Sequence, residues 1–117
     1  MTARRPLTRG DVVLIPFPFT DLSGEKVWPA VIVERIVDED LLLAFVTSRV
    51  SQIDAWTDVL LGPNQPEFSL TGLRVSSTVR LNKLTTLHRT LALRRIGFLG
   101  PQTLGSVMTA LHYVFEF

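Results

Sequence analysis

Three consecutive residues, Thr47, Ser48 and Arg49, combine two hydroxyl groups with a guanidinium group directly after an apolar segment. A hydroxyl can donate a hydrogen bond to a phosphate oxygen, and the planar guanidinium group can hold a phosphate through two parallel hydrogen bonds. These residue types therefore predict a site that binds a phosphate group and stabilises negative charge on it. The alternative is a strand end that carries ordinary polar residues.

A second polar set lies on a segment whose residues alternate between apolar and polar, residues 74–84. This period of two predicts a strand with Ser77 on the apolar face and Arg80 on the polar face. The charges of Arg74, Arg80 and Lys83 could follow the phosphate backbone of a nucleic acid. Ser77 could equally be a hydroxyl in the core.

The charge of the chain is unevenly distributed, although its formal net charge is only +1. No Asp or Glu lies between Phe68 and Phe115, whereas residues 1–67 hold ten of the eleven acidic residues. The basic second half could bind a polyanion, or its charges could lie on solvated strand faces. Charge alone does not separate the two.

Composition limits the class of protein. A chain of 117 residues is expected to form one domain over residues 1–117. It has no cysteine, and its histidines and carboxylates show no ligand spacing, so we expect neither a metal site nor a cofactor. No apolar segment is long enough to span a membrane and no signal peptide is visible at the N-terminus, so we expect a cytoplasmic protein.

The apolar pattern predicts six strands followed by one helix. The helix is expected to begin at Pro101, behind Gly100 as N-cap, and the apolar residues that recur at helical spacing are Leu104, Val107, Met108, Leu111 and Phe115. Strands that precede a single helix predict a mainly β fold, a small antiparallel barrel with a C-terminal helix packed on it. The predicted strands are Asp11–Phe17, Ala30–Ile36, Leu41–Ser48, Thr57–Leu61, Arg74–Leu84 and Leu91–Phe98.

Three segments, in the same order, resemble the MazF/PemK family of toxins from toxin–antitoxin systems. They are G-D-V-V-L-I-P-F-P-F-T-D-L-S-G-E-K-V-W-P-A-V-I-V, A-F-V-T-S-R and T-G-L-R-V-S-S-T-V-R-L-N-K-L-T-T-L. The resemblance implies an SH3-like barrel that usually dimerises. It also implies metal-independent cleavage of single-stranded RNA at a short sequence, through attack of the 2′-OH on phosphorus.

The resemblance also implies which residues form the site. Thr47 stands where the family has its catalytic Thr, and Ser77 is the best match to a family Ser on a later strand. An acidic residue in the first loop, Asp21 or Glu25, would gate the RNA groove beside Lys26. The expected catalytic residues are Thr47, Ser48 and Arg49, and the expected RNA-binding residues are Glu25, Lys26, Trp28, Arg74, Ser77 and Arg80.

Trp28 departs from the family pattern, which usually has an Arg at this position. An indole can donate a hydrogen bond but carries no charge, so it cannot stabilise an anion as a cation does. The enzyme could be weak or inactive, a nearby cation could act instead, with Arg49 the first candidate, or Trp28 could stack on an RNA base. A Trp that packs at a barrel or dimer edge is the structural alternative.

The resemblance implies several partners: single-stranded RNA, an acidic antitoxin that blocks the groove, and a second copy of the chain. The uncharged residues on the outer side of the helix, among them Ser106, Thr109, Ala110 and Tyr113, also favour a homodimer. The alternative function is a protein that acts by binding, either a CcdB-like toxin that binds gyrase or an inactive relative that binds RNA or antitoxin. The hydroxyls and guanidinium of residues 47–49 favour the ribonuclease.

Overall fold

The computed structural model of the protein describes residues 6–16, 26–50 and 53–115. These residues form six strands and one α-helix, with short 3₁₀ turns between some of them. None of the helices within these ranges is long and apolar enough to cross a membrane. The elements are β1 (Asp11–Pro16), β2 (Val27–Ile36), β3 (Asp40–Thr47), β4 (Asp58–Leu61), β5 (Ser77–His88), β6 (Arg94–Phe98) and α1 (Pro101–Phe115).

The six strands form one antiparallel sheet in the order β4-β5-β3-β2-β1-β6. The sheet curls into a half-barrel, and α1 follows the last strand. The predicted fold class, a small antiparallel barrel with a C-terminal helix, is therefore confirmed. Each predicted strand is present, with ends shifted by up to four residues.

The two faces of the sheet bury different clusters, because successive side chains of a strand point to opposite faces. On β3, Ala44 and Val46 belong to the cluster that includes Val107 and Leu111 of α1, and we call this side the helix face. Leu43 belongs to a second cluster on the other side, which we call the site face. The buried residues of the site face are Val13, Ile15, Ala30, Ile32, Leu41 and Leu43.

Pro29 lies inside β2, a strand that has neighbours on both sides. A proline removes a hydrogen-bond donor, so it is usually excluded from a central strand. Here Pro29 pairs with Leu14 of β1, whereas the pairing of β2 with β3 begins only at Ala30. The first residues of β2 are therefore paired on one side only, which explains why the strand can begin at Val27, before Pro29.

The apolar face of α1 differs from the predicted one at two positions. Ala110 is buried with Val107 and Leu111, and Val114 packs against the same cluster. This 107–110–111–114 spacing is a regular helical stripe, and it leaves Phe115 outside the core, 48% exposed. The assignment of Phe115 to the core and of Ala110 to the outer face was therefore wrong.

Candidate active site

Most of the predicted site residues lie at one end of the sheet. In an antiparallel sheet β2 and β5 begin where β3 ends, and the register pairs Thr47 of β3 with Thr78 of β5. On the other side of β3, the pairing with β2 ends at Ala30 and Phe45, so Trp28 lies two residues beyond the last pair, at the end of the sheet that carries Thr47. Thr47 and Thr78 are a direct pair, and Trp28 shares the site face of β2 with Ala30.

The hydroxyl of Thr47 is held in place by the backbone just beyond it. Its Oγ1 accepts a hydrogen bond from the backbone N–H of Arg49 at 3.1 Å. The oxygen is thereby fixed, while its O–H can still donate to another group. β3 ends at Thr47, one residue earlier than predicted, so strand alternation does not set the direction of Arg49, which is exposed together with Ser48.

Ser77 lies on the opposite face from Thr47. It shares the helix face with Val79 and Leu81, is only 3% exposed, and its Oγ donates to the carbonyl of Val75 at 2.9 Å. This geometry fits the alternative of a core hydroxyl. Thr78, which alternation places with Arg80 on the polar face of the strand but which was not chosen as a site residue, is the β5 hydroxyl that shares a face with Thr47.

Arg80 is partnered within the sheet. Its Nε lies 3.7 Å from Oδ1 of Asp58, a carboxylate whose side chain is only 1% exposed, and β4 and β5 pair these two residues directly. Oδ2 of Asp58 also accepts the backbone N–H of Asp54 at 3.0 Å. Asp58 was not among the predicted site residues; the one available signal was a carboxylate at an inward position of a short apolar strand.

Three further cations surround this end of the sheet. Lys26 precedes β2, Arg49 follows β3 and Arg74 precedes β5, and all three are exposed. None of them forms an ion pair with another residue in the described part of the chain. They are therefore available to phosphate groups, while the acidic candidates Asp21 and Glu25 lie outside the described residues.

A cleft of about 1010 Å³ is lined by the end of β2, the start of β3 and the start of β6, and it includes none of the predicted site residues. Two of its arginines are engaged: Arg89 with Glu39 at 3.0 Å, and Arg95 with Asp11 at 3.4 Å. Within residues 6–16, 26–50 and 53–115, no three His, Asp or Glu side chains form a group that could hold a metal ion. The charged and hydroxyl-bearing residues that line the cleft are Arg35, Glu39, Asp40, Arg89, Thr90, Arg94 and Arg95.

Comparison with known families decides what this chain is. Residues 8–115 match the family of PemK-like, MazF-like toxins of type II toxin-antitoxin systems. The chain belongs to this family. The toxin gave no match among curated proteins.

Solved structures share the fold of the toxin over nearly its whole length. An endoribonuclease in complex with its cognate antitoxin, from a mycobacterial species, is 22% identical with a TM-score of 0.70, and the match covers 96% of this chain and 97% of that one. The MazE–MazF complex (form II) of Deinococcus radiodurans is 18% identical with a TM-score of 0.73, covering 95% and 96%. The Mycobacterium tuberculosis toxin MazF-mt6 is 18% identical with a TM-score of 0.67, covering 92% and 97%. At such identities the likeness establishes the fold.

Proposed function

We propose that the toxin is an endoribonuclease that cuts single-stranded RNA at a short sequence without a metal ion. Family membership supports this, and so do similar solved structures, two of which are endoribonucleases from mycobacterial species. The observation that carries the proposal is the hydroxyl of Thr47, which is oriented by the N–H of Arg49 at 3.1 Å at the sheet end where exposed cations gather.

The proposed reaction is a transesterification within the RNA. The 2′-oxygen forms a bond to phosphorus as its proton leaves, and the bond between phosphorus and the 5′-oxygen breaks as that oxygen takes up a proton. The products are a 2′,3′-cyclic phosphate and a 5′-OH. Because the phosphorane carries extra negative charge, donors and cations fixed at this point lower the barrier. The need for a 2′-OH restricts the substrate to RNA.

Each residue has a separate role in the proposal. Thr47 donates its O–H to a phosphorane oxygen, and the side chains of Ser48 and Arg49 bind the same phosphate group. Lys26 and Arg74 contact neighbouring phosphates of the strand. Trp28, half-buried at the same end of the sheet, offers its ring for stacking against a base.

The proposed partners follow from the same fold. We expect the toxin to form a homodimer in the cytoplasm and to be inhibited by a cognate antitoxin, since similar structures were solved as toxin–antitoxin complexes. An acidic antitoxin segment would complement the exposed cations at the sheet end. Light scattering tests the dimer; a monomer at micromolar concentration would count against it.

One observation favours a second candidate function, a toxin that acts by binding. Trp28 lies at the same end of the sheet as Thr47, at a position where the family usually has an Arg, so this position supplies no cation. A site without enough positive charge would bind RNA or antitoxin without cutting, or the fold would act as in CcdB, by binding gyrase. The two candidates differ in one measurable property, cleavage of RNA.

The deciding experiment incubates the purified toxin with a long single-stranded RNA in EDTA. Thr47→Ala is compared with Thr86→Ala, which removes an exposed hydroxyl farther along β5. We expect the wild type and Thr86→Ala to cut, and Thr47→Ala to cut about 100-fold more slowly. Cleavage by Trp28→Arg alone would instead support the binding function, and equal cleavage by Thr47→Ala and wild type would remove Thr47 from the mechanism.

A further inference from the structure

We propose that the cleft at the end of β2 and the starts of β3 and β6 binds a nucleotide that carries more than one phosphate group. This is a second activity, independent of RNA cleavage. The cleft holds about 1010 Å³, which is large enough for a small-molecule or cofactor ligand. Its charge, its polar groups and its apolar wall each restrict the kind of ligand that can bind there.

Arginines dominate the charge of the cleft. Four of them line it, against the two carboxylates of Glu39 and Asp40. A concave surface with an excess of one charge concentrates the electric field and attracts ligands of the opposite charge. The guanidinium group also matches phosphate in shape, because its planar fork donates two parallel hydrogen bonds. The cleft therefore favours an anion that carries phosphate groups.

Two of the arginines are already positioned by carboxylates. Nε of Arg89 lies 3.0 Å from Oε1 of Glu39, and a terminal nitrogen of Arg95 lies 3.4 Å from Oδ1 of Asp11, which is buried. A guanidinium group has five N–H donors, so both arginines keep donors that can face a ligand. Side chains that are oriented in advance lose less conformational freedom when a ligand binds.

The other two arginines, Arg35 and Arg94, have their charges available. Both are exposed, and neither forms an ion pair with any residue at positions 6–16, 26–50 and 53–115. They lie on β2 and β6, which are separated in the sheet by β1, so their backbones are at least about 10 Å apart. A chain of two or three phosphates has the length to contact both side chains.

The carboxylate of Asp40 distinguishes a nucleotide from a bare phosphate chain. Asp40 lines the cleft, is half-buried, and forms no ion pair within the described part of the chain. An ionised carboxylate only accepts hydrogen bonds, so it repels an inorganic polyphosphate but binds O–H and N–H groups. A nucleotide supplies both kinds of group, since its ribose and base carry donors in addition to the phosphates.

The cleft also has an apolar wall. Leu7, Leu41 and Ala92 line it, and each of them belongs to or packs against the buried cluster of the site face. Leu93, a further lining residue, is 55% exposed. A nucleobase has an apolar face that can cover such a surface, whereas an inorganic anion cannot.

The cleft is separate from the end of β3 that carries Thr47. Leu41, at the cleft, lies six residues before Thr47 on this strand, a distance of about 20 Å. Between them β3 presents Leu43 and Phe45 on the site face, and Leu43 is fully buried. RNA held at Thr47 meets no cation along this stretch of β3, so the cleft suits a compact ligand better than a continuous RNA strand.

The experiment measures nucleotide binding to the whole toxin by isothermal titration calorimetry at about 0.15 M salt. The probes are ATP and GTP, their monophosphates, and inorganic triphosphate. Arg35→Gln and Arg94→Gln each remove one exposed cation, and melting temperatures verify that both variants fold. Arg74→Gln makes the same change at an exposed arginine that precedes β5 and does not line the cleft, so it is the matched control.

We expect ATP or GTP to bind one site per chain, at least about tenfold more tightly than its monophosphate or inorganic triphosphate. Arg35→Gln and Arg94→Gln should each weaken this binding about tenfold, because each removes a hydrogen bond between charged groups. Asp40→Asn should weaken the binding of the nucleotide but not that of inorganic triphosphate. Arg74→Gln should match wild type.

Four results would overturn the nucleotide site. Binding of neither ATP nor GTP at millimolar concentration removes it, and an equal loss in Arg74→Gln would place the ligand at the Thr47 end instead. Inorganic triphosphate that binds as tightly as the nucleotides, with Asp40→Asn strengthening both, would indicate a simple anion site. A short single-stranded RNA or a poly-glutamate peptide that binds through Arg35 and Arg94 when nucleotides do not would assign the cleft to a macromolecule. No cleavage is measured in these titrations, so failure of the ribonuclease proposal leaves their result unaffected.

Discussion

Oε1 of Glu67 accepts two hydrogen bonds from Thr103, one from the backbone N–H and one from Oγ1, both at 2.8 Å. Oε2 accepts the backbone N–H of Gln102 at 3.1 Å. The first N–H groups of a helix have no partner inside the helix, and its N-terminus favours negative charge. Glu67, 34 residues before Pro101 in the chain, is therefore the side-chain cap of α1.

This cap makes the stability of the toxin depend on pH. The backbone N–H of Thr103 is the first of the hydrogen bonds that lower the pKa of Glu67 below 4.5. Because the pKa of Glu67 is lower in the folded toxin than in the unfolded chain, the stabilisation by its carboxylate is complete above pH 4.5. This stabilisation is lost as the pH falls from 4.5 through the pKa of the folded state. We expect Glu67→Gln to lower the melting temperature above pH 4.5 and to lose less stability than wild type on acidification.

Thermal unfolding on both sides of pH 4.5 is the measurement, with Asp38→Asn as the control because Asp38 is an exposed acid away from α1. The pKa of Glu34 is lowered by a hydrogen bond from the Arg9 side chain, so Glu34 also makes the toxin less stable as the pH falls. Because Glu34 is present in both wild type and Glu67→Gln, its effect cancels in the comparison. Parallel pH curves for wild type and Glu67→Gln would contradict the role of Glu67.

Gly97 is expected to tolerate no side chain. A Cβ there would lie 2.3 Å from the carbonyl oxygen of Leu70 and 2.3 Å from the carbonyl carbon of Thr71, both backbone atoms that cannot move aside cheaply. We expect Gly97→Ala to cost about 3 kcal/mol in the free energy of unfolding, measured with urea. At Gly62 a Cβ would meet nothing within 4 Å, so Gly62→Ala should stay close to wild type.

Gly105 offers the opposite case. It is an exposed residue inside α1, and an added Cβ would have no neighbour within 4 Å. Since Gly is the costliest residue after Pro in a helix interior, Gly105→Ala should stabilise the toxin by about 0.5–1 kcal/mol and raise the melting temperature by about 4 °C. A lower melting temperature would indicate that this part of α1 is covered in a dimer.

The exposed cations are expected to contribute separately to RNA affinity. A cation that contacts a phosphate of single-stranded RNA releases counterions, so removing it should flatten the plot of log affinity against log salt by about 0.7. We expect this change for Arg74→Gln and for Lys26→Gln, measured by fluorescence anisotropy with Thr47→Ala to prevent cleavage. Arg94→Gln should leave the slope unchanged; an equal change there would indicate non-specific binding.

Local patterns in the sequence were sufficient to predict the strands and the helix of this fold. Apolar segments predicted most of the strands, and alternation predicted β5. The helix predicted to begin behind Gly100 is present, and the carbonyl of Gly100 accepts the N–H of Leu104 at 2.8 Å. The motifs around Thr47 also identified the family correctly. Both features depend on residues that are neighbours in the chain, and such features can be read without knowing the fold.

Pairing between distant strands decided the composition of the site. Only the register shows that Thr78 rather than Ser77 shares a face with Thr47, and that Arg80 has Asp58 as its partner. A shift of one residue in any strand pairing would turn every side chain of that strand to the other face.

The sequence by itself therefore determined the family, the order of the elements and a basic second half that carries hydroxyls at strand ends. The tertiary structure decided which of those side chains meet, that Glu67 caps a helix that begins far along the chain, and that Phe115 lies outside the core. The reason is physical. Periodicity is a property of neighbouring residues, whereas register and packing depend on contacts between residues far apart in sequence.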